Sequence, residues 1–257
     1  MSDEPEPITA LPESRDLLVG YLEYRSQESS ENKRHAIVPH VYHASEGGYC
    51  TRQLYYKHTG LPTETDKPLG IFIMGELVET VMTDAYKWFY GAENIRKVPV
   101  FIRIDDKFDV TGSTDIIVCN DAGLPLLQAE VKSNARGANA KSSYHQLVQA
   151  ATYGKLVAIP ENRVIHPSRN DPTNMPEKDR RMSAEEVERY YNQAIDNFRR
   201  LDAALETKTL PPAKPPKSSQ CEYCPYQKQC QADGGWGKGP RGGLKPPLPM
   251  YGDANDE

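Results

Sequence analysis

The chain has 257 residues, 38% of them apolar, and a formal net charge of −5; that length can bury one sizeable core with polar extensions. It has no apolar run of about 18 residues and does not open with a basic region followed by an apolar stretch, so the sequence predicts a soluble, cytoplasmic protein with neither a membrane span nor a secretory signal. The charge is uneven: residues 1–31 carry eight carboxylates against Arg15 and Arg25, and residues 251–257 add Asp253, Asp256 and Glu257, so the middle of the chain is net basic and nucleic acid remains open as a partner.

Residues 1–35 are rich in Glu, Ser and Pro and read as an acidic, mobile segment, with room for a short amphipathic helix over Leu17–Tyr24. A short helix follows over Cys50–His58, carrying Arg52 and Tyr55 and stopped by Gly60-Leu61-Pro62. A second helix is predicted over Leu69–Tyr90, with Ile73, Leu77, Val81, Met82, Ala85, Trp88 and Phe89 as its buried stripe. Glu76 and Glu79 interrupt that helix, and Glu79 projects beside the stripe one turn beyond Gly75. A strand over Ile95–Ile104 and the turn Asp105-Asp106-Lys107 come next.

The stretch from Asp109 to Lys132 reads as two apolar strands, Asp109–Val118 and Leu124–Lys132, joined at Asn120-Asp121-Ala122-Gly123. Asp115 stands on the first strand, and Glu130 and Lys132 on the second. A strand alternates its faces with period two, so Glu130 and Lys132 project together, and Asp115 reaches the same face from the neighbouring strand. Each charge taken singly fits a salt bridge at a sheet end, but two carboxylates and a lysine converging on a buried sheet suit a hard cation such as Mg²⁺ or Mn²⁺.

A third helix is predicted over Lys141–Leu156, placing Gln149 and Tyr153 on one face. Val157-Ala158-Ile159 and Val164-Ile165-His166 read as short strands, followed by a proline-rich irregular loop. Ser183 with Glu186 is a capping box, and Val187, Tyr191, Ala194, Ile195, Phe198, Leu201 and Leu205 trace the apolar stripe of the helix it opens. The stiff connector Leu210–Pro216 leads to Cys221, Cys224 and Cys230, three cysteines at metal-binding spacing. Cys119 reads as a core thiol, which leaves Cys50 as the fourth ligand, and spacing leaves structural Zn²⁺ and a 4Fe-4S cluster equally open. Residues 234–257 read as a disordered tail.

The order Cys50, Gly75-x-x-x-Glu79, Gly112-Ser113-Thr114-Asp115, Glu130-Val131-Lys132, Gln149-x-x-x-Tyr153, Cys221-x2-Cys224-x5-Cys230 resembles the RecB-like branch of the PD-(D/E)XK nuclease superfamily. Within that branch it is similar to the CRISPR-associated iron-sulfur exonucleases and their stand-alone phage and archaeal relatives. The resemblance implies an α/β, restriction-endonuclease-like core over residues 36–233, a central mixed sheet flanked by helices, and a 4Fe-4S region joining the N- and C-terminal parts. It also implies Asp115, Glu130, the Val131 carbonyl and Glu79 as ligands of Mn²⁺ or Mg²⁺, Lys132 as the catalytic cation, and Gln149 and Tyr153 along the DNA. Arg52, Tyr55, Arg136 and Lys141 are further candidates for contact with single-stranded DNA. The family commonly has His at the position of Glu79; glutamate is an acceptable oxygen ligand for either ion. The implied activity is a DNA exonuclease of recombination, replication or repair; the alternative is a CRISPR adaptation factor that trims DNA for an integrase partner.

Overall fold

A computed structural model of the chain describes residues 37–62, 69–213, 221, 224–235, 237–238 and 244–245. The acidic segment 1–35, with its expected helix over Leu17–Tyr24, lies outside the described residues. In chain order the elements are β1 (Val41–His43), α1 (Thr51–His58), α2 (Leu69–Tyr90), β2 (Ile95–Arg96), β3 (Pro99–Ile104), β4 (Phe108–Ser113), β5 (Ile116–Cys119) and β6 (Pro125–Val131). They continue with α3 (Tyr144–Leu156), β7 (Glu161–Ile165), β8 (Arg180–Met182), α4 (Ala184–Thr207), α5 (Gln227–Ala232), β9 (Gly237–Lys238) and β10 (Leu244–Lys245). Among the described residues no helix is long and apolar enough to cross a membrane.

The strands form a five-stranded mixed sheet in the order β2-β5-β6-β7-β8 and a three-stranded sheet in the order β1-β4-β3. In the larger sheet β6 and β7 run parallel, joined through α3, and the other pairs are antiparallel. The chain changes sheet twice at one level. The expected strand over Ile95–Ile104 is broken at Lys97-Val98, and the expected strand over Asp109–Val118 is broken at Thr114-Asp115. Thr114 bridges the two breaks: its amide donates to the Val98 carbonyl at 3.0 Å and its hydroxyl accepts the Val98 amide at 2.9 Å. Pro99 has no N–H to give to a continuous ladder, in keeping with a strand that begins anew there.

One core lies between the smaller sheet and helices α1, α3 and α4, built from residues such as Tyr42, Leu54, Phe108, Val110, Val148, Phe198 and Leu201. The Phe198 ring stacks on Tyr42 with centroids 5.4 Å apart. Helix α4 follows the predicted stripe, and Ser183 and Glu186 form the capping box expected of them. A second core lies between α2 and the larger sheet, where Val78, Met82 and Tyr86 meet Ile116, Val118, Leu127 and Ala129.

Several expected elements need correction. The buried stripe of α2 is rotated from the one expected: Leu77, Val81, Trp88 and Phe89 are 53%, 51%, 85% and 71% exposed, and Val78 is the buried residue. Apolar residues run round most of this helix, so periodicity alone does not choose the face. Helix α3 starts at Tyr144, capped by Ser143 with Gln146, three residues later than expected. Residues 157–159 turn instead of forming a strand, with Ala158 in the left-handed region at φ 54°. Strand β8 arises within the proline-rich stretch, and β9 pairs with β10 inside the segment expected to be disordered.

Candidate active site

The break between β4 and β5 places Asp115 at the seam of the two sheets, just before the fully buried run Ile116–Cys119. Its Oδ2 accepts the Val131 amide at 2.8 Å, so the carboxylate takes the place of a ladder partner at the end of β6. Burial raises the Asp115 pKa, the Glu130 charge raises it further, and Glu79 adds to this against the opposing pull of Lys132; the result is pushed up to about 8.

Glu130 is fully buried on the face of β6 that looks away from Ala129 and Val131, and neither of its oxygens has a geometrically sound hydrogen bond among the described residues. The Lys132 ammonium stands 2.7 Å from Glu130 Oε1 as an ion pair. Burial works against the Lys132 charge, but Glu130 and Asp115 outweigh it and hold its pKa above the usual lysine value. A carboxylate this deep, with a single cationic partner among the described residues and a second carboxylate beside it, is a donor set that fits a hard divalent cation.

Glu79 approaches from the other layer, on α2. Its Oε1 lies 2.8 Å from the Lys97 ammonium, and its charge is felt by Asp115. Gly75, one turn earlier, faces Ser133, with room for a Cβ at an ordinary contact distance of 3.5 Å from Ser133 Oγ. Lys97 is a residue that motif reading misses. Its hydrogen bond to Glu79, with further attraction from Asp115 and Glu130, raises its pKa against the effect of burial. It reaches the carboxylates because the chain breaks at Lys97-Val98, and no local spacing announces that break.

Gln149 and Tyr153 share α3, but only Gln149 remains half-exposed; Tyr153 is 3% exposed. Burial, followed by the nearby Glu130 charge, pushes the Tyr153 pKa up to about 12 against the opposing effect of the Ser113 backbone. Gly112 is required beneath that ring, since a Cβ would stand 2.4 Å from Tyr153 Oη. His166, also missed, ends the strand parallel to β6; its Nδ1 is 3.3 Å from the Lys132 carbonyl and its Nε2 is 2.8 Å from Ser142 Oγ. Two parallel strands finish at the same sheet edge, so recognising the β6–β7 pairing would have found it.

The four candidate cysteines come together. Cys50, Cys221, Cys224 and Cys230 line one cavity with Gln53, Tyr56 and Gln227. Burial and the neighbouring cysteines push the thiols of Cys221 and Cys224 up to about 11. Cys119 is buried at 5% exposure, in the core as expected. The described residues contain a separate trio, His40, Asp202 and Glu206, with ligand atoms within 4.8 Å of one another. There Asp202 Oδ1 is already held by the Tyr42 hydroxyl at 2.5 Å and His40 Nδ1 at 2.8 Å.

The structure gives Arg52 a different place from the expected DNA path. It is 7% exposed and donates to the Pro211 carbonyl at 2.7 Å and the Asp233 carbonyl at 3.0 Å. Tyr55 is half-buried against the first core, and Arg136 and Lys141 are exposed on the segment that follows β6.

A family model of the PD-(D/E)XK nuclease superfamily matches residues 75–231. The chain belongs to that superfamily. Membership indicates a metal-dependent nuclease, and PD-(D/E)XK nucleases use divalent metals such as Mg²⁺ or Mn²⁺. The mixed sheets flanked by helices fit the restriction-endonuclease-like fold. The fold is similar to the crystal structure of SSO0001, with a TM-score of 0.57 and 15% identity over 84% of this chain and 97% of that one. The structure of Scheffersomyces stipitis Rai1 in complex with (3'-NADP)+ and calcium ion is similar at a TM-score of 0.30 and 11% identity, over 77% of this chain and 68% of that one. That second likeness carries no argument. No curated protein matches the chain.

Proposed function

We propose that this PD-(D/E)XK protein is a DNA exonuclease that acts on single strands and carries a structural 4Fe-4S cluster in its cysteine cavity. The observation that carries the reading is the fully buried Glu130, whose carboxylate has the Lys132 ammonium at 2.7 Å as its ion-pair partner among the described residues and Asp115 beside it. Asp115, Glu130, Glu79 and the Val131 carbonyl are the groups to hold Mn²⁺ or Mg²⁺, which when bound lowers the pKa of water and neutralises charge on the phosphate.

The residues of the chain do the rest. Asp115 is fixed to β6 through the Val131 amide, which sets the separation of the two carboxylates. Lys132, charged at neutral pH, donates to a phosphoryl oxygen or to the attacking water. Hydrolysis adds the hydroxyl of water to phosphorus, breaks one P–O ester bond and leaves the proton on the departing oxygen. Lys97 keeps positive charge beside Glu79. Arg136 and Lys141, exposed beyond β6, and half-exposed Gln149 suit the path of the strand.

Convergence of four half-buried cysteines on one cavity supports a cationic occupant, since burial and the neighbouring cysteines hold the Cys221 and Cys224 thiols high and a bound metal would replace their protons. The family resemblance favours 4Fe-4S over zinc. The test is incubation of purified protein with end-labelled single- and double-stranded DNA under Mn²⁺ and Mg²⁺. Stepwise products from one end of single strands are expected; internal cuts would remove the exonuclease assignment, and intact DNA in every metal would remove the nuclease. Iron and acid-labile sulfide in equal amounts are expected in anaerobic protein, and stoichiometric zinc would replace the cluster.

A further inference from the structure

A cavity of about 390 Å³ opens beside the catalytic strand end, within the size range of small-ligand sites. Met175 and Pro176 give it an apolar wall, His166 and Ser142 a polar one, and Lys141 and Lys178 stand at its edge. Both lysines are exposed, and neither has an ion-pair partner among the described residues. The lining carboxylate, Asp179, pairs with Arg163 at 3.1 Å, a guanidinium it shares with Glu161 at 2.6 Å, and the lining guanidinium of Arg180 is engaged by Glu186 at 2.5 Å. The lining cations without an ion-pair partner among the described residues are the two ammonium groups.

His166 joins this cavity to the active site. One ring nitrogen contacts the Lys132 carbonyl at 3.3 Å and the other the Ser142 hydroxyl at 2.8 Å. Burial lowers the His166 pKa, which leaves the ring neutral at pH 7, with Nδ1–H donating to the carbonyl and Nε2 accepting from Ser142. One peptide unit thus separates the cavity wall from the side chain of the catalytic lysine.

We propose that this cavity is a nucleotide subsite, in which Met175 and Pro176 pack against a base, Lys141 and Lys178 hold its phosphate, and the strand continues to the scissile bond at Lys132. The inference rests on the nuclease reading and deepens it by naming where the neighbouring nucleotide sits. Apolar wall and free cations together distinguish a nucleotide from a bare anion, which needs no apolar wall, and from a nucleoside, which needs no cations.

The test is calorimetric binding of deoxyadenosine 5′-monophosphate to the full chain in EDTA, beside inorganic phosphate and deoxyadenosine as separate probes. The monophosphate is expected to bind at least tenfold more tightly than either fragment. Lys141→Glu with Lys178→Glu is expected to weaken it at least tenfold, and Met175→Trp to block it by filling the cavity. Phosphate binding as tightly as the monophosphate, or affinity unchanged in both variants, overturns the subsite. Because no hydrolysis is read, nucleotide binding in a protein that cuts no DNA would sink the nuclease and leave the subsite, whereas metal-dependent cutting without nucleotide binding would do the reverse.

Discussion

Asp115 accepts the Val131 amide at 2.8 Å, so one carboxylate of the site is anchored to the strand that carries the other. Removing Asp115 therefore takes away both the proposed ligand oxygen and the contact that sets its distance from Glu130. Asp115→Asn and Lys132→Ala are each expected to lower Mn²⁺-dependent cleavage by roughly 10³-fold, the equivalent of about 4 kcal/mol in the barrier. Circular dichroism should show both variants folded. Wild-type rates in both would remove these residues from the chemistry.

The same carboxyl sets a pH dependence. With a folded pKa of about 8 against an ordinary 3.8, Asp115 keeps a proton in the native metal-free protein that the unfolded chain has already released. Its stabilising contribution is full below the unfolded value and is lost as pH rises through about 8. Urea midpoints measured in EDTA are expected to fall from pH 5 to pH 9, with a smaller fall in Asp115→Asn. Added Mg²⁺ should stabilise more at pH 9 than at pH 6, because the ion then no longer competes with a proton.

Gly112 allows Tyr153 to lie over the strand that leads to Asp115. In Gly112→Ala the new Cβ would meet Tyr153 Oη at 2.4 Å and Cε1 at 2.8 Å. Displacing a 3% exposed ring from a packed core is expected to cost about 1–3 kcal/mol. Because the ring packs on Gly112, three residues before Asp115, cleavage should fall with stability. A thermal melt and a single-turnover rate on the same preparation check this, and unchanged values in both would mean the ring has room to move.

Helix α1 clasps the C-terminal segment through side chains other than its cysteine. Arg52 reaches the Pro211 and Asp233 carbonyls, and the Tyr56 hydroxyl donates to Asp233 Oδ2 at 2.7 Å. Tyr56→Phe is expected to destabilise the fold by about 1.5–3 kcal/mol, as hydrogen bonds to charged groups do. Tyr56 also lines the cysteine cavity, so the visible absorption of the proposed cluster should fade faster in air than in the wild type. Identical bleaching rates would separate the clasp from the cysteines.

What the sequence reveals and what it hides divide along local and non-local physics. Helix α2 begins and ends where its pattern predicts, and α4 opens at the Ser183 capping box, because caps and periodicity are properties of neighbouring residues. Glu130 and Lys132 share a face for the same reason, and their ion pair follows from strand alternation. The two sheet changes at Lys97-Val98 and Thr114-Asp115 do not show, since apolar alternation runs through them and only tertiary pairing decides where one ladder stops. Lys97 is missed as a result. The buried face of α2 is hidden differently: both of its candidate stripes are apolar, and the sheet selects Val78, Met82 and Tyr86.

That selection bears on how firmly an ion is held. Glu79 rides on α2, while Asp115 and Glu130 stand at the sheet, so an ion held by all three, as proposed, would fasten one layer to the other. The helix otherwise docks through Val78, Met82 and Tyr86, with Trp88 and Phe89 turned outward. Ion affinity and the docking of α2 would then form a single equilibrium: whatever loosens the helix would weaken the site, and an ion filling the site would stiffen the helix.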